Sequence, residues 1–220
     1  ATIAAGQTKI SAFLCPSNAV TAPDPAGFGL VDYMPIAYVG LPNTAGVVTK
    51  KVGALGLFGN PISYITDGTS NTIAMFEDSG RLAGNLNGKY SATTSALTAG
   101  AITTNGFITV ASGSGPLCTG LNTGNTCPNR WIDGDNGNGV TGPPSGVFSV
   151  INNNKGAAGA AACPYTTTNC GPNDEPFSLH TGGVHALMCD GSVRFISENT
   201  DVQVIRRASD PTDGEPIGDF

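Results

Sequence analysis

Glycine and proline set the terms for this chain: 46 of its 220 residues are one or the other, 31 glycines and 15 prolines. Inside a helix, glycine costs about 1 kcal/mol relative to alanine and proline about 3 kcal/mol. Punctuation this dense breaks long helices and leaves short elements joined by turns. Coiled coils and helical bundles need long Ala/Glu/Lys/Leu-rich periodic runs and are excluded. Charge-driven disorder is disfavoured too, because 40% of the residues are hydrophobic and the net charge is only −6. The length suits one globular domain over residues 1–220, large enough to bury a core.

Charged side chains are few, 10 Lys and Arg against 16 Asp and Glu. The acidic balance gives no electrostatic reason to bind nucleic acid or anionic lipid, and it leaves carboxylates free for cations. Residues 90–129 carry no charge at all, yet SATTSALTAGAITTNG is too polar to span a membrane. Residues 85–128 therefore read as a Thr/Ser/Gly/Ala-rich insertion with short strands at Ala101–Ile102 and Phe107–Val110. Interface cores are depleted of charge, so a contact between subunits is one use for such a segment. O-linked sugars or a solvated loop are others. The opening ATIAAGQTKISAF has none of the features of a secretory signal, so any export signal or anchor is expected to have been removed or to lie upstream.

Six cysteines among so many turns point to an oxidising compartment. Six allow 15 pairings. Cys118 with Cys127, and Cys163 with Cys170, would each close a short Gly/Pro/Asn-bearing loop, leaving Cys15 and Cys189 as a long-range staple. The CxxC-type spacing and histidine ligands of a structural zinc site are not visible in the sequence.

Local patterns suggest a β-rich, mostly antiparallel α+β domain with long disulfide-stapled loops. TKISAFLC (8–15) alternates as a short strand, and residues 17–61 are loop-like, with prolines at 23, 25, 35, 42 and 61. Asp67-Gly68 predicts a turn and Thr72 to Glu77 a strand. Asp190-Gly191, between apolar runs 184–189 and 192–197, predicts a hairpin with a two-residue type I′ turn. That register places Met188 opposite Val193, and Ala186 opposite Phe195, on the same face as Val184. Leu187, Arg194, His185 and Ile196 would take the other face. Thr200 is positioned to cap a short helix over Asp201–Ser209, with Arg206 and Arg207 at its C-terminal end.

The segment SLHTGGVHALMCDGSVRFISENTD (178–201), with His180 and then Asp190-Gly191, resembles the C-terminal signature of a large bacterial family of prepilin-type, pilin-like surface proteins of unknown function. FLCPSN (13–18), TDGTSNTIAMFE (66–77), RWIDG (130–134) and the tail DPTDGEPIGDF resemble the family in order. The resemblance implies a pilin- or pseudopilin-like globular domain, an extracellular or cell-surface location, and a role in assembly or adhesion. Family members begin with a hydrophobic helix that anchors the precursor and builds a filament. This chain opens almost on FLCPSN, so either it is the C-terminal part of a longer protein or the helix has been lost. Copies of the chain itself are the expected partners.

The candidate chemistry is sparse. Asp133, Asp135 and Asn138 sit on a Gly-rich loop that can curl round a calcium ion, which wants six to eight oxygens. The loop fails the EF-hand pattern, because Gly137 replaces a ligand and Pro144 stands where Glu belongs. A plain Asx-rich turn explains the same residues and is the simpler expectation. Asp174, Glu175, Asp210, Asp213 and Glu215 are further oxygen donors. His180 with Asp190 suggests a contact that locks the turn rather than a catalytic pair, since no GxSxG, HExxH or Cys–His signature accompanies it. His185 reads as a surface or interface residue. Asp67 and Asp190 are explained by local turn bonding, and Trp131 is expected as a core anchor with its N–H satisfied, with stacking on a sugar as the alternative. The first expectation for function is a non-catalytic, filament-forming extracellular subunit; the alternative is a secreted calcium- or glycan-binding surface module.

Overall fold

A computed structural model of the chain describes residues 2–17, 27–41, 49–79, 130–132, 139–141, 150–152, 175–215 and 217–218. In chain order the described elements are α1 (Thr2–Gly6), a 3-10 turn (Ser11–Phe13), β1 (Tyr33–Pro35), β2 (Tyr38–Gly40), β3 (Lys51–Val52), a second 3-10 turn (Ile62–Tyr64), β4 (Ile73–Glu77), β5 (Gly139–Thr141), β6 (Gly183–Met188), β7 (Val193–Ser197) and α2 (Val202–Ser209). β1-β4-β6-β7 form an antiparallel sheet, and β3-β2-β5 form a second sheet in which β2 and β5 run parallel. The expected α+β, sheet-rich character is present. The insertion at 85–128 lies outside the described residues.

Both sheets and α2 share one core. Met34, Phe76, Ala186 and Ile196 come from the larger sheet, Val39 and Val140 from the smaller, and Ile205 and Ala208 from α2. Among the described residues, no helix is long and apolar enough to cross a membrane. The region expected to be loop-like, 17–61, holds three short strands. Pro35 is compatible with β1 because that strand is at the sheet edge, where a missing N–H leaves no ladder bond unmade. The strand expected over 8–15 is instead a 3-10 turn flanked by extended residues.

A bulge in β4 decides which face each side chain takes. Ile73 pairs with Met188, but Met75 pairs with Leu187 and Phe76 with Ala186, so β4 carries one extra residue. Ile73 and Phe76, three apart, therefore both face the core, and Met75 and Glu77 face the opposite side.

The β6–β7 hairpin forms where expected, with a different turn. Gly191 N–H donates to Met188 O and Met188 N–H to Ser192 O, making a three-residue loop, Cys189 to Gly191. Only Gly191 of these has positive φ, +88°, so the turn is not type I′, which needs positive φ at Asp190 as well. Leu187 accordingly pairs with Val193 and His185 with Phe195. The one-residue slip turns β7 over relative to the expected register. Ile196 is buried in the core, while Val193 is 64% and Phe195 46% exposed. The cause is docking of the turn: Cys189 N–H donates to Thr72 O and Asp190 N–H to Thr69 O.

Helix α2 is capped by Asp201, not Thr200; its carboxylate accepts from Gln203 N–H at 2.7 Å. At the other end of β6, Gly183 is pressed against Ile196 O, which a Cβ would overlap. Gly183→Ala is expected to cost about 1–3 kcal/mol through this overpacking. Urea unfolding checks it, and an unchanged midpoint would contradict the hairpin register.

Candidate functional site

The side of the larger sheet away from the core is the wall of an open cavity of about 910 Å³. Strand residues Tyr33, Pro35, Met75, Glu77, His185, Leu187 and Val193 line it, and the facing wall comes from Phe13, Cys15 and Trp131. The N-terminal segment is fastened there by backbone. Asp32 N–H donates to Phe13 O, Gly29 N–H to Gly6 O, and Trp131 N–H to Gly29 O. The Trp131 indole N–H donates to Thr8 O at 2.9 Å, as expected, but the ring is half-buried and lines the cavity, edge-on to Phe13.

On this largely apolar wall sits one polar cluster centred on Glu77, which is 3% exposed. Its Oε2 accepts from His185 N–H at 2.7 Å and faces His185 Nδ1 at 3.2 Å. Its Oε1 faces His180 Nε2 at 3.2 Å and Cys15 Sγ at 3.5 Å. Cys15 Sγ and His180 Nε2 are 3.6 Å apart, and the two imidazoles meet edge to face with centroids 4.6 Å apart. A carboxylate only accepts, so these contacts are hydrogen bonds when Nε2 of His180 and Nδ1 of His185 carry the proton. Cys15 is held in place through its backbone, whose N–H donates to Asp32 Oδ2 at 2.8 Å.

The electrostatics keep the thiol neutral. Burial raises the Cys15 pKa above its ordinary value, and the negative charges of Glu77 and Asp32 add to the effect. Burial likewise raises Tyr33, with Cys15, Glu77 and Asp32 contributing. A nucleophilic cysteine needs a lowered pKa and a base oriented from its far nitrogen. Here the thiol pKa is raised, and Cys15 and Glu77 both approach the same atom, His180 Nε2. The cluster is joined by hydrogen bonds, and it also offers a set of metal donors: Cys15, Glu77 and His180 each present one donor atom, all within 4.8 Å of one another.

The residues expected to act here are redistributed. His180 does not lock the Asp190-Gly191 turn; it lies beyond the opposite end of β6, against Glu77 and Cys15. The Asp190 carboxylate instead accepts from Ser192 N–H and Oγ at 2.8 and 2.7 Å, and these bonds hold its pKa below the usual value. Asp67 reaches farther than its own turn and accepts from Gly214 N–H in the tail at 3.1 Å, while Gly68 takes φ +96°.

Cys15 and Cys189 are both free thiols, so the long-range staple between them is not made. Cys15 is beside the His180–His185 end of β6. Cys189 is four residues past His185, about 13 Å along a strand, and a disulfide spans at most about 7 Å between Cα atoms. Burial raises the Cys189 pKa as well. Cys118, Cys127, Cys163 and Cys170 lie outside the described residues, as do the candidate calcium ligands Asp133, Asp135 and Asn138, and Asp174. The tail carboxylates face cations already present. Asp210 meets Lys51 at 2.6 Å, Asp213 meets Arg206 at 3.1 Å, and Glu215 meets Arg207 at 3.6 Å. Glu175 is fully buried.

In the sequence Glu77 reads equally as a rim residue or as one with a buried partner; the structure gives the buried partner, and its place as the hub is what the sequence does not show. The available signal was a carboxylate ending an apolar strand, TIAMFE, where burial demands partners. Three quoted segments supply the cluster: FLCPSN gives Cys15, TDGTSNTIAMFE gives Glu77, and SLHTGGVHALM gives His180 and His185. A fourth, RWIDG, gives Trp131 to the facing wall.

The SBP_bac_10 family model, described as protein of unknown function (DUF1559), matches residues 1–203. No curated protein and no solved structure matches the chain.

Proposed function

The chain belongs to the family described as protein of unknown function (DUF1559), and from that premise we propose that it is an extracellular structural protein, a pilin-like, non-catalytic subunit of a cell-surface filament. The observation that carries this reading is the exposed apolar surface at the β7 edge of the larger sheet. Val193 and Phe195 are exposed on β7 beside Leu187 and Met75, next to a cavity that is mostly apolar. Leu57, Ile62 and the fully exposed Phe58 add apolar surface around the second 3-10 turn. Exposed apolar surface of this kind is suited to contact between subunits. The neutral thiol and the shared Nε2 contact support a role without turnover. An oxidising location is consistent with the cysteine content, and O-glycans remain compatible with the hydroxyl-rich segment.

Assembly through this face makes a direct prediction. Purified protein is expected to form ordered fibres or oligomers by negative-stain electron microscopy and sedimentation, through interfaces burying more than ~1,000 Å². The double variant Val193→Asp/Phe195→Asp places charges on exposed positions, so it is expected to fold and to sediment as a monomer. Wild-type protein that stays monomeric at high concentration would reject the filament reading.

One observation favours a second reading, a secreted binding module. An apolar cavity with a few convergent polar groups, here Glu77, His180, His185 and Cys15, is the usual form of a small-ligand site. Monomeric protein that binds a small molecule in this cavity would favour that reading. A candidate calcium loop at Asp133, Asp135 and Asn138 belongs to the same proposal; a melting temperature unchanged by chelator would count against it.

A further inference from the structure

We propose that Cys15, Glu77 and His180 form a binding site for a divalent zinc ion, with the fourth coordination position facing the cavity.

The argument is first one of distances. Tetrahedral zinc binds sulfur at about 2.3 Å and nitrogen or oxygen at about 2.0–2.2 Å, which sets its donors about 3.5 Å apart for sulfur with nitrogen or oxygen and about 3.3 Å apart for nitrogen with oxygen. The observed edges are 3.6 Å for Cys15 Sγ to His180 Nε2, 3.5 Å for Sγ to Glu77 Oε1, and 3.2 Å for Nε2 to Oε1. The three atoms thus already occupy one face of a zinc tetrahedron. The metal sits on the side of that face where its fourth bond is free.

The donor types select the metal. A thiolate, an imidazole and one carboxylate oxygen suit zinc, whereas calcium and magnesium take oxygen almost alone. The surrounding bonds orient the donors as outer-shell partners do in metal sites. Glu77 Oε2 is occupied by His185 N–H and Nδ1, which leaves Oε1 as the single coordinating oxygen. Asp32 fixes the backbone of Cys15. Three protein donors with a fourth position open to a cavity is the arrangement that holds a water or a ligand atom on zinc. Binding takes Cys15 as its thiolate and His180 through the Nε2 lone pair, so it displaces protons to solvent and strengthens as pH rises.

The inference does not rest on filament assembly, and its test is read on wild-type and variant protein whatever the oligomeric state. Reduced full-length protein is titrated with Co²⁺ and then with Zn²⁺ at pH 7.5. The expected result is a thiolate-to-cobalt charge-transfer absorption saturating at one equivalent and bleached by zinc. It is lost in Cys15→Ser, weakened at least ~10-fold in His180→Ala, and kept in Cys189→Ser. No such band, or a band unchanged in Cys15→Ser because other cysteines carry the metal, would overturn the proposal. A second readout needs no variant: one equivalent of Zn²⁺ is expected to protect Cys15, and not Cys189, from alkylation followed by mass spectrometry. Equal labelling of Cys15 with and without zinc would contradict the site.

Discussion

Phe76→Ala is expected to cost about 3–5 kcal/mol of stability, the cost of emptying a large, well-packed core position. Phe76 is fully buried at the centre of the larger sheet, paired across β1 with Met34 and across β6 with Ala186. Neighbours on both sides are held by strand ladders, so the hole cannot collapse cheaply. At roughly 2–4 °C per kcal/mol for a domain of this size, the melting temperature should fall by about 10 °C. Phe76→Leu keeps most of the volume and is expected to cost less than half as much. A loss below about 1 kcal/mol for the alanine variant would show that Phe76 does not face the core, and with it that the β4 bulge is misplaced.

Glu77→Ala is the second large effect, expected at about 3 kcal/mol. The loss does not come from hydrophobic area. It comes from the part-buried His185 N–H, which loses a 2.7 Å acceptor, and from two imidazoles and a thiol that share the same, buried carboxylate. A buried donor left without an acceptor costs about 1–3 kcal/mol, more than a hydrogen bond normally contributes. Glu77→Gln retains one acceptor oxygen and is expected to lose about half as much. Denaturant unfolding of the three proteins checks the order. Alanine and wild type of equal stability would mean that the carboxylate organises nothing.

The same two neighbouring residues show what was legible in the sequence. TIAMFE reads as a strand from composition alone, and β4 spans Ile73–Glu77. Its facing does not follow from alternation, because the bulge puts Ile73 and Phe76 on one side and Met75 and Glu77 on the other. The hairpin at Asp190-Gly191 is legible for a local reason, a turn dipeptide between apolar runs. Its register is not, because Thr69 and Thr72 hold the turn from outside the hairpin. Helix α2 is legible because its apolar spacing is local, although its cap falls one residue later than expected, on Asp201 rather than Thr200.

The candidate site was hidden by distance along the chain. Metal and catalytic signatures are recognised by short spacing, whereas Cys15, Glu77 and His180 are separated by 62 and 103 residues. Setting the other four cysteines in local loops leaves Cys15 with Cys189 by elimination alone, and nothing in the spacing shows the length of β6 between them. What linked the segments was the resemblance to a pilin-like family, whose quoted motifs supply the cluster and part of the facing wall. They carry no indication of which residues touch. His180 with Asp190 was a natural pairing in one motif, and the fold places the two beyond opposite ends of the same strand.

The central claim is that these dispersed segments meet at one carboxylate, and the chain's histidine content makes it directly measurable. There are only two histidines, His180 and His185, so their imidazole ¹⁵N resonances can be assigned from two single-site variants. Long-range ¹H–¹⁵N spectra of metal-free protein are predicted to show a proton fixed on Nε2 of His180 and on Nδ1 of His185, with both rings shifting in Glu77→Gln. Two rings that exchange freely between tautomers and do not respond to Glu77→Gln would contradict it.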